Sequence, residues 1–444
     1  MARPYPFNES DRLELDPTYQ EVLRDEPVSR VMLPYGGEAW LAVRHADVRT
    51  VLSDPRFSRA AVVGRDMPRV RPEVEENVNS TMNMDPPDHT RPRKLLAGAF
   101  TTRRVEALRP RTAELTAQLL AGMRAAGTGA DLVEHVSVPL PLMIICELLG
   151  VPVADRPIFR SASDAIMSMS AITPQERLAA NADLESYMAG MVAQRRITPT
   201  DDLLGAFVRA QGEGDRLSDG ELVDLGIAVL IAGHETTMSQ IGNMTYTLLT
   251  RPGRWAALRG DHEVVVRGVE ELLRYTPILA SGGFPRIATE DVELSGVTVS
   301  AGETVVVSLN AANRDPELFD DADTLLLDRA ANRHIGFGYG AHHCPGAALA
   351  RMELQEVLGG LLREFPDLRL AVAPEDVQWR TGTRVRGPRA LPLAWGPENG
   401  GRQDTAPTDS TVASFHLYDL RPGCLGSACP GRPIGRDAYT RRAE

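Results

Sequence analysis

A chain of 444 residues, 43% hydrophobic and 24% charged, carries enough apolar side chain for a large buried core. A net charge of −12, with an isoelectric point near 5.4, argues against a nucleic-acid partner. The four cysteines, Cys146, Cys344, Cys424 and Cys429, need no disulfide framework, which suits a reducing cytoplasm.

In chain order, the opening residues Met1 to Asp11 hold no apolar signal-peptide core. Short strand-like pieces are predicted over Glu38–Val43 and Val48–Leu52. Long helical stretches follow over Arg103–Met123, Pro174–Gln194, Asp219–Thr250 and His262–Tyr275. Between the first two of these, the longest apolar run, Val136–Val153, is interrupted by Pro139, Pro141, Glu147 and Pro152. It is not a membrane span, and Cys146 within it reads as a small core residue. Asp291–Leu294, Val297–Ser300 and Thr304–Leu309 read as strands, with turns at Gly296 and Ala301-Gly302. A last helix runs from Ala347 to about Phe365, with Leu358, Leu361, Leu362 and Phe365 on one face. The fold class is mainly α with small β-sheets. Residues 397–444 are rich in Gly, Pro, Ser, Thr, Asp and Arg and lack periodicity. They are expected to be a disordered tail on a domain of residues 1–396.

Chemistry concentrates in three places. The segment Phe337-Gly338-Tyr339-Gly340-Ala341-His342-His343-Cys344-Pro345-Gly346 sets one thiol in a glycine-rich loop just before the last helix. The helix dipole and loop amides favour the thiolate there, the form that ligates a metal. In the helix Asp219–Thr250, Gly233-His234-Glu235-Thr236 puts an acid and an alcohol where the preceding turns are apolar on nearly every side. Such groups are costly without a task or partners, and Gly233 is expected to let the backbone open. In Glu270-Glu271-Leu272-Leu273-Arg274, Glu271 and Arg274 are three apart on one helical face, where an ion pair forms easily.

These motifs together resemble the cytochrome P450 superfamily, in particular its soluble bacterial members, over roughly Pro17 to Trp395. The resemblance implies the P450 fold, a helix-rich domain with a minor β-rich region, binding haem b. It implies Cys344 as axial iron ligand and His342 as a contact to a haem propionate, with His343 a surface residue. Asp85-Pro86-Pro87-Asp88-His89-Thr90-Arg91-Pro92-Arg93 resembles a helix start of the family, implying His89 and Arg93 on the propionates with Asp88 as cap. Arg286 is implied as a further propionate cation. Glu235 and Thr236 resemble the family's acid–alcohol pair, which delivers protons to O2 during its cleavage. Glu271 and Arg274 match its structural ion pair, with Arg329 as third member, and Asn313-Arg314-Asp315-Pro316 its structural turn.

No flavin or nicotinamide domain fits in the sequence. Electrons from NAD(P)H are therefore expected through a ferredoxin and its reductase, docking near Arg103, Arg104, Arg351 and Arg363. The implied activity is insertion of one atom of O2 into an apolar small molecule, by default hydroxylation in secondary-metabolite tailoring, in the cytoplasm and without membrane attachment. Epoxidation or oxidative C–C coupling are alternatives within the class, and a non-catalytic haem-thiolate ligand binder or gas sensor is an alternative outside it. Substrate contacts are implied in Ala60–Met82, Ile166–Thr173, Ile227–Gly233, Ile278–Phe284 and Thr381–Arg384.

Overall fold

A computed structural model describes residues 2–7, 13–167, 173–212 and 217–397. Residues 398–444, on which the expectation of a disordered tail falls, lie outside the described residues.

The core is organised by the helix Asp219–Leu249. Its start is fixed by a capping box: Glu221 N donates to Ser218 Oγ at 3.2 Å, and Ser218 N donates to Glu221 Oε2 at 2.7 Å. Beyond that start it is buried on nearly all sides, through Leu222, Leu225, Leu230, Met238, Ile241, Met244 and Leu248. Removing a leucine side chain from water contributes roughly 2 kcal/mol, which holds the polar residues of this helix in the interior. Helices Pro139–Leu149, Pro174–Ile197 and Ala347–Glu364 pack around it, and Ala347–Glu364 in turn packs on Thr102–Ala126. The helix continues unbroken through Gly233. A Cβ there would meet Ile145 Cδ1 at 2.8 Å, so this glycine serves close helix packing and not the backbone opening expected of it.

One sheet has the spatial order Arg3–Pro4, Val28–Met32, Glu38–Ala42, Thr304–Val307, Arg286–Ala288, Phe57–Ser58. Thr304–Val307 runs parallel to Glu38–Ala42, with Trp40 opposite Val305, and antiparallel to Arg286–Ala288, with Arg286 opposite Val305. This pairing carries Arg286 into the buried interior of the protein. Val292–Leu294 and Val297–Val299 form a separate hairpin, turned at Gly296 with φ +77°.

Three local expectations are corrected. Val48–Leu52 is not a strand but part of the helix His45–Ser53, with Val48 and Val51 on its buried face. Asp315 Oδ2 accepts from His45 N at 2.8 Å across 270 residues, so the stabilising partner of the first turn is invisible to a local reading. Thr304–Leu309 ends as a strand at Val307, because Ser308 Oγ accepts from Ala311 N at 3.2 Å and starts the short helix Leu309–Ala312. Asp88 does not cap the helix Thr90–Ala99; His89 occupies that position and makes no capping bond.

Candidate active site

The cysteine loop is held from beneath by the helix His45–Ser53. Cys344 N donates to Phe337 O at 2.9 Å, and His343 N to Gly340 O at 3.1 Å. Gly338 and Gly340 adopt φ of +75° and +71°, a region that disfavours any side chain. A Cβ on Gly340 would stand 2.4 Å from the Leu52 carbonyl oxygen, so its missing side chain is filled by protein backbone. Arg49 donates to the Tyr339 hydroxyl at 2.6 Å, a second tie from the same helix. Burial pushes the Cys344 thiol above its ordinary pKa, while the Gly346 N–H, Arg93 and Arg351 pull the other way. The amide support foreseen from the sequence is therefore present but outweighed by desolvation.

Around His342 the protein gathers cations in excess, with Asp85 the acid that bears on His89, Arg286 and Arg59. The His342 and His89 rings lie 4.2 Å apart at 41°. Both His342 ring nitrogens are buried with no hydrogen-bond partner. Burial, then His89, Arg286, Arg59 and Arg93, lower its pKa to about 3, so the imidazole is neutral. Arg286 is 4% exposed, and burial lowers its pKa to about 9. Burial also lowers those of Arg93 and His89. Neither Arg93 nor Arg286 has an ion-pair partner among the described residues. The structure brings His89, Arg93, Arg286 and His342 together, and with them Arg59, which the sequence reading missed. That residue is tied by Nε to Met82 O at 2.8 Å, by Nη2 to Asn83 Oδ1 at 2.8 Å, and by Nη1 to Pro285 O. His343 is exposed, as expected.

In the central helix, Glu235 is fully buried and bound to Arg380. No pattern near either residue signals that partner, which arrives from a distant loop. The Thr236 hydroxyl donates to Ala232 O, one turn back, at 2.8 Å. One residue on, the Thr237 hydroxyl bonds Glu353, whose carboxyl burial raises to about pKa 8 and keeps protonated.

The Glu271 carboxylate receives Arg274 Nε and Nη2 at 2.8 and 2.7 Å, Arg329 Nε at 3.0 Å, Leu326 N at 2.9 Å and Asn332 Nδ2 at 3.1 Å. Arg274 also donates to the carbonyls of Asn313, Ala322 and Thr324. The expected Asn313–Pro316 turn is thus tied into this cluster, and Asn313 Oδ1 accepts from Ile335 N at 2.8 Å ahead of the cysteine loop. Of the four arginines expected on a docking face, Arg103, Arg104 and Arg363 are exposed. Arg351 is not available, since it donates to Glu270 at 2.7 and 3.1 Å and lies 4.5 Å over the Phe337 ring.

The helical architecture, the cysteine loop and the acid–alcohol pair of the central helix define the class of haem-thiolate oxygenases. The family model Cytochrome P450 matches residues 41–381, and the chain belongs to this family. It is 50% identical over 395 residues to "Nocardicin C N-oxygenase" of Nocardia uniformis subsp. tsuyamanensis, covering 89% of this chain and 99% of that protein. It is 47% identical over 393 residues to "Mycinamicin IV hydroxylase/epoxidase" of Micromonospora griseorubida, covering 88% and 98%. A solved cytochrome P450 described as "with biaryl coupling reactivity" superposes with a TM-score of 0.85 at 47% identity, covering 89% of this chain and all of that one. The protein is a haem-thiolate monooxygenase that uses O2 and electrons from redox partners to oxidise a small molecule. The non-catalytic alternative is set aside. Among the described residues no helix is long and apolar enough to cross a membrane.

Proposed function

We infer that this monooxygenase hydroxylates a largely apolar secondary metabolite, with Cys344 as the axial ligand of haem b. The observation that carries this reading is His342, an imidazole with both nitrogens buried and unpartnered on the loop that presents the thiol, set beside Arg93 and Arg286, which form no ion pair. That arrangement fits a flat prosthetic group bearing two carboxylates. Arg93 and Arg286 would bind the propionates as charged donors, and His89 and His342 as neutral ones. Among the described residues no three His, Cys, Asp or Glu side chains converge, so a single thiolate holding a metal already chelated by its own macrocycle suits the donor set. Thiolate-ligated haem supplies reductive activation of O2.

The chain's own part is proton supply and exclusion of water. Thr236 Oγ1 now donates to Ala232 O; rotating about χ1 would free it to donate into the substrate chamber. Glu235 would relay protons from the side where Arg380 reaches it. Electrons would come from NAD(P)H through a ferredoxin reductase and a ferredoxin docking on Arg103, Arg104 and Arg363. The catalytic unit would be residues 1–396, working in the cytoplasm, with 397–444 dispensable. The relatives' printed names span N-oxygenation, hydroxylation, epoxidation and biaryl coupling at 47–50% identity. Epoxidation and C–C coupling therefore stay as second readings.

Cys344→Ser tests the reading directly. It should abolish the sulfur-ligated Soret band of the reduced carbon monoxide complex; a variant that keeps that band would overturn the axial assignment. Thr236→Ala should leave haem content and substrate affinity unchanged while diverting most NAD(P)H consumption into peroxide. Unchanged product per NAD(P)H would remove Thr236 from the relay.

A further inference from the structure

Two more arginines stand apart from the cations around His342. Arg384 O accepts from Ala280 N at 3.0 Å, so Arg384 lies alongside the stretch Ile278–Phe284. Its guanidinium carbon is 4.7 Å from the centre of the Phe284 ring. Arg71 reaches the end of the helix Arg156–Met167, where Nη2 donates to Ile166 O at 3.4 Å, and its Nε is buried without a partner. Neither arginine pairs with a carboxylate among the described residues. Glu73, two residues from Arg71, is bound to Arg177 instead.

The two act on each other. Burial lowers the pKa of Arg384 to about 9, and Arg71 is the foremost charge adding to that push. Arg71 is likewise lowered by burial and by Arg177, with Glu73, itself bound to Arg177, and the exposed Glu75 pulling the other way. This pair meets the cations around His342 only at Arg59, which lies 5.3 Å from the same Phe284 ring: the charges bearing on His342 are His89, Arg286, Arg59 and Arg93, and those bearing on Arg384 are Arg71, Glu75 and Arg59. Arg59, common to both, has each of its three nitrogens bonded to protein acceptors. Two like charges drawn out of water, with no carboxylate bonded to either, are stabilised by a bound anion. The exposed Glu75 offsets one of the two positive charges at a distance. The balance suits a single negative charge.

We propose that Arg71 and Arg384 form an anion clamp, so that the molecule oxidised is an apolar body carrying one carboxylate remote from the reacting atom. The proposal rests on the functional reading above, since that reading is what makes these segments substrate-facing. Arg384 would grip the carboxylate with its planar fork while Phe284 supports the guanidinium face.

Iron-anchored probes test it with the intact haem-loaded enzyme. A series of ω-imidazol-1-yl alkanoic acids of increasing chain length, and the matching terminal alcohols, bind iron through the imidazole and report affinity by the Soret shift. At one chain length the acid should bind about 10- to 100-fold more tightly than its alcohol, the range for a charged hydrogen bond. Arg71→Gln with Arg384→Gln should erase that preference and leave the alcohols unchanged. Each single Gln variant should lose part of it, and Arg384→Lys should retain part. Equal binding of acid and alcohol at every length in the unaltered enzyme would overturn the proposal, as would an acid preference that survives in the single and double variants alike. Loss of the sulfur-ligated carbon monoxide band in the unaltered enzyme would instead strike the haem-thiolate reading.

Discussion

Two clusters of buried charge, one around Glu271 and one around His342, obey opposite rules. Around Glu271 every charge is answered: one carboxylate meets Arg274, Arg329, Asn332 and the Leu326 amide, and Arg274 is finished by three carbonyls. Around His342 the cations outnumber the acid that bears on them, Asp85, and the neutral imidazole in their midst has nothing to bond. A fully paired buried cluster is architecture; it fixes the meander that leads into the cysteine loop and needs no ligand. An unpaired one costs stability in isolation and has meaning only with an anion in place.

The largest expected effect breaks the first cluster. Glu271→Ala leaves Arg274 and Arg329 buried without their counter-charge, and should cost about 3–5 kcal/mol in denaturant unfolding. The loss should be the same with and without haem. Normal stability with lost activity would mean that this cluster is functional and the contrast is drawn wrongly.

Arg286→Ala should behave in the reverse sense. In haem-free protein it removes an unpaired buried cation, so the melting temperature should not fall. In holoprotein it removes the proposed propionate donor, so haem should dissociate faster by about one to two orders of magnitude, on the scale of a charged hydrogen bond. Transfer of haem to an acceptor protein measures this. A similar loss of stability in both forms would make Arg286 a structural residue like Arg274. His342→Ala should show a weaker version, because a neutral donor is removed.

Glu353 sharpens the comparison from a third side, as a buried acid that escapes cost by staying protonated. Its folded pKa of about 8 lies above the ordinary 4.5. Between those values the folded state holds a proton that the unfolded chain has lost. Its contribution is therefore intact below about pH 4.5 and declines as pH rises toward 8. Glu353→Gln should flatten that part of the stability–pH profile and change little else. A profile identical to that of the unaltered protein would mean that Glu353 is ionised in the fold.

The sequence by itself determined the elements with strong periodicity and the residues that belong to local patterns. The helices Asp219–Leu249 and His262–Tyr275 were legible from their apolar faces, Glu271 and Arg274 from their spacing, Cys344 from its glycine-rich loop, and His342, Glu235 and Thr236 through motifs that resemble the family's. Arg329 was legible because its family pattern travels with that of Glu271. Tertiary structure alone decided whatever depends on a partner far along the chain. Val48–Leu52 reads as a strand by β-branched content, yet Asp315 helps hold it in a helix and the cysteine loop rests on that helix through Gly340. Glu235 carries no local sign of Arg380, nor Arg384 of Arg71. Periodicity encodes which face of an element is buried; it holds no information on which charges burial brings together. That is settled only when the helices pack, and it separates the paired cluster that builds this protein from the unpaired ones that await a ligand.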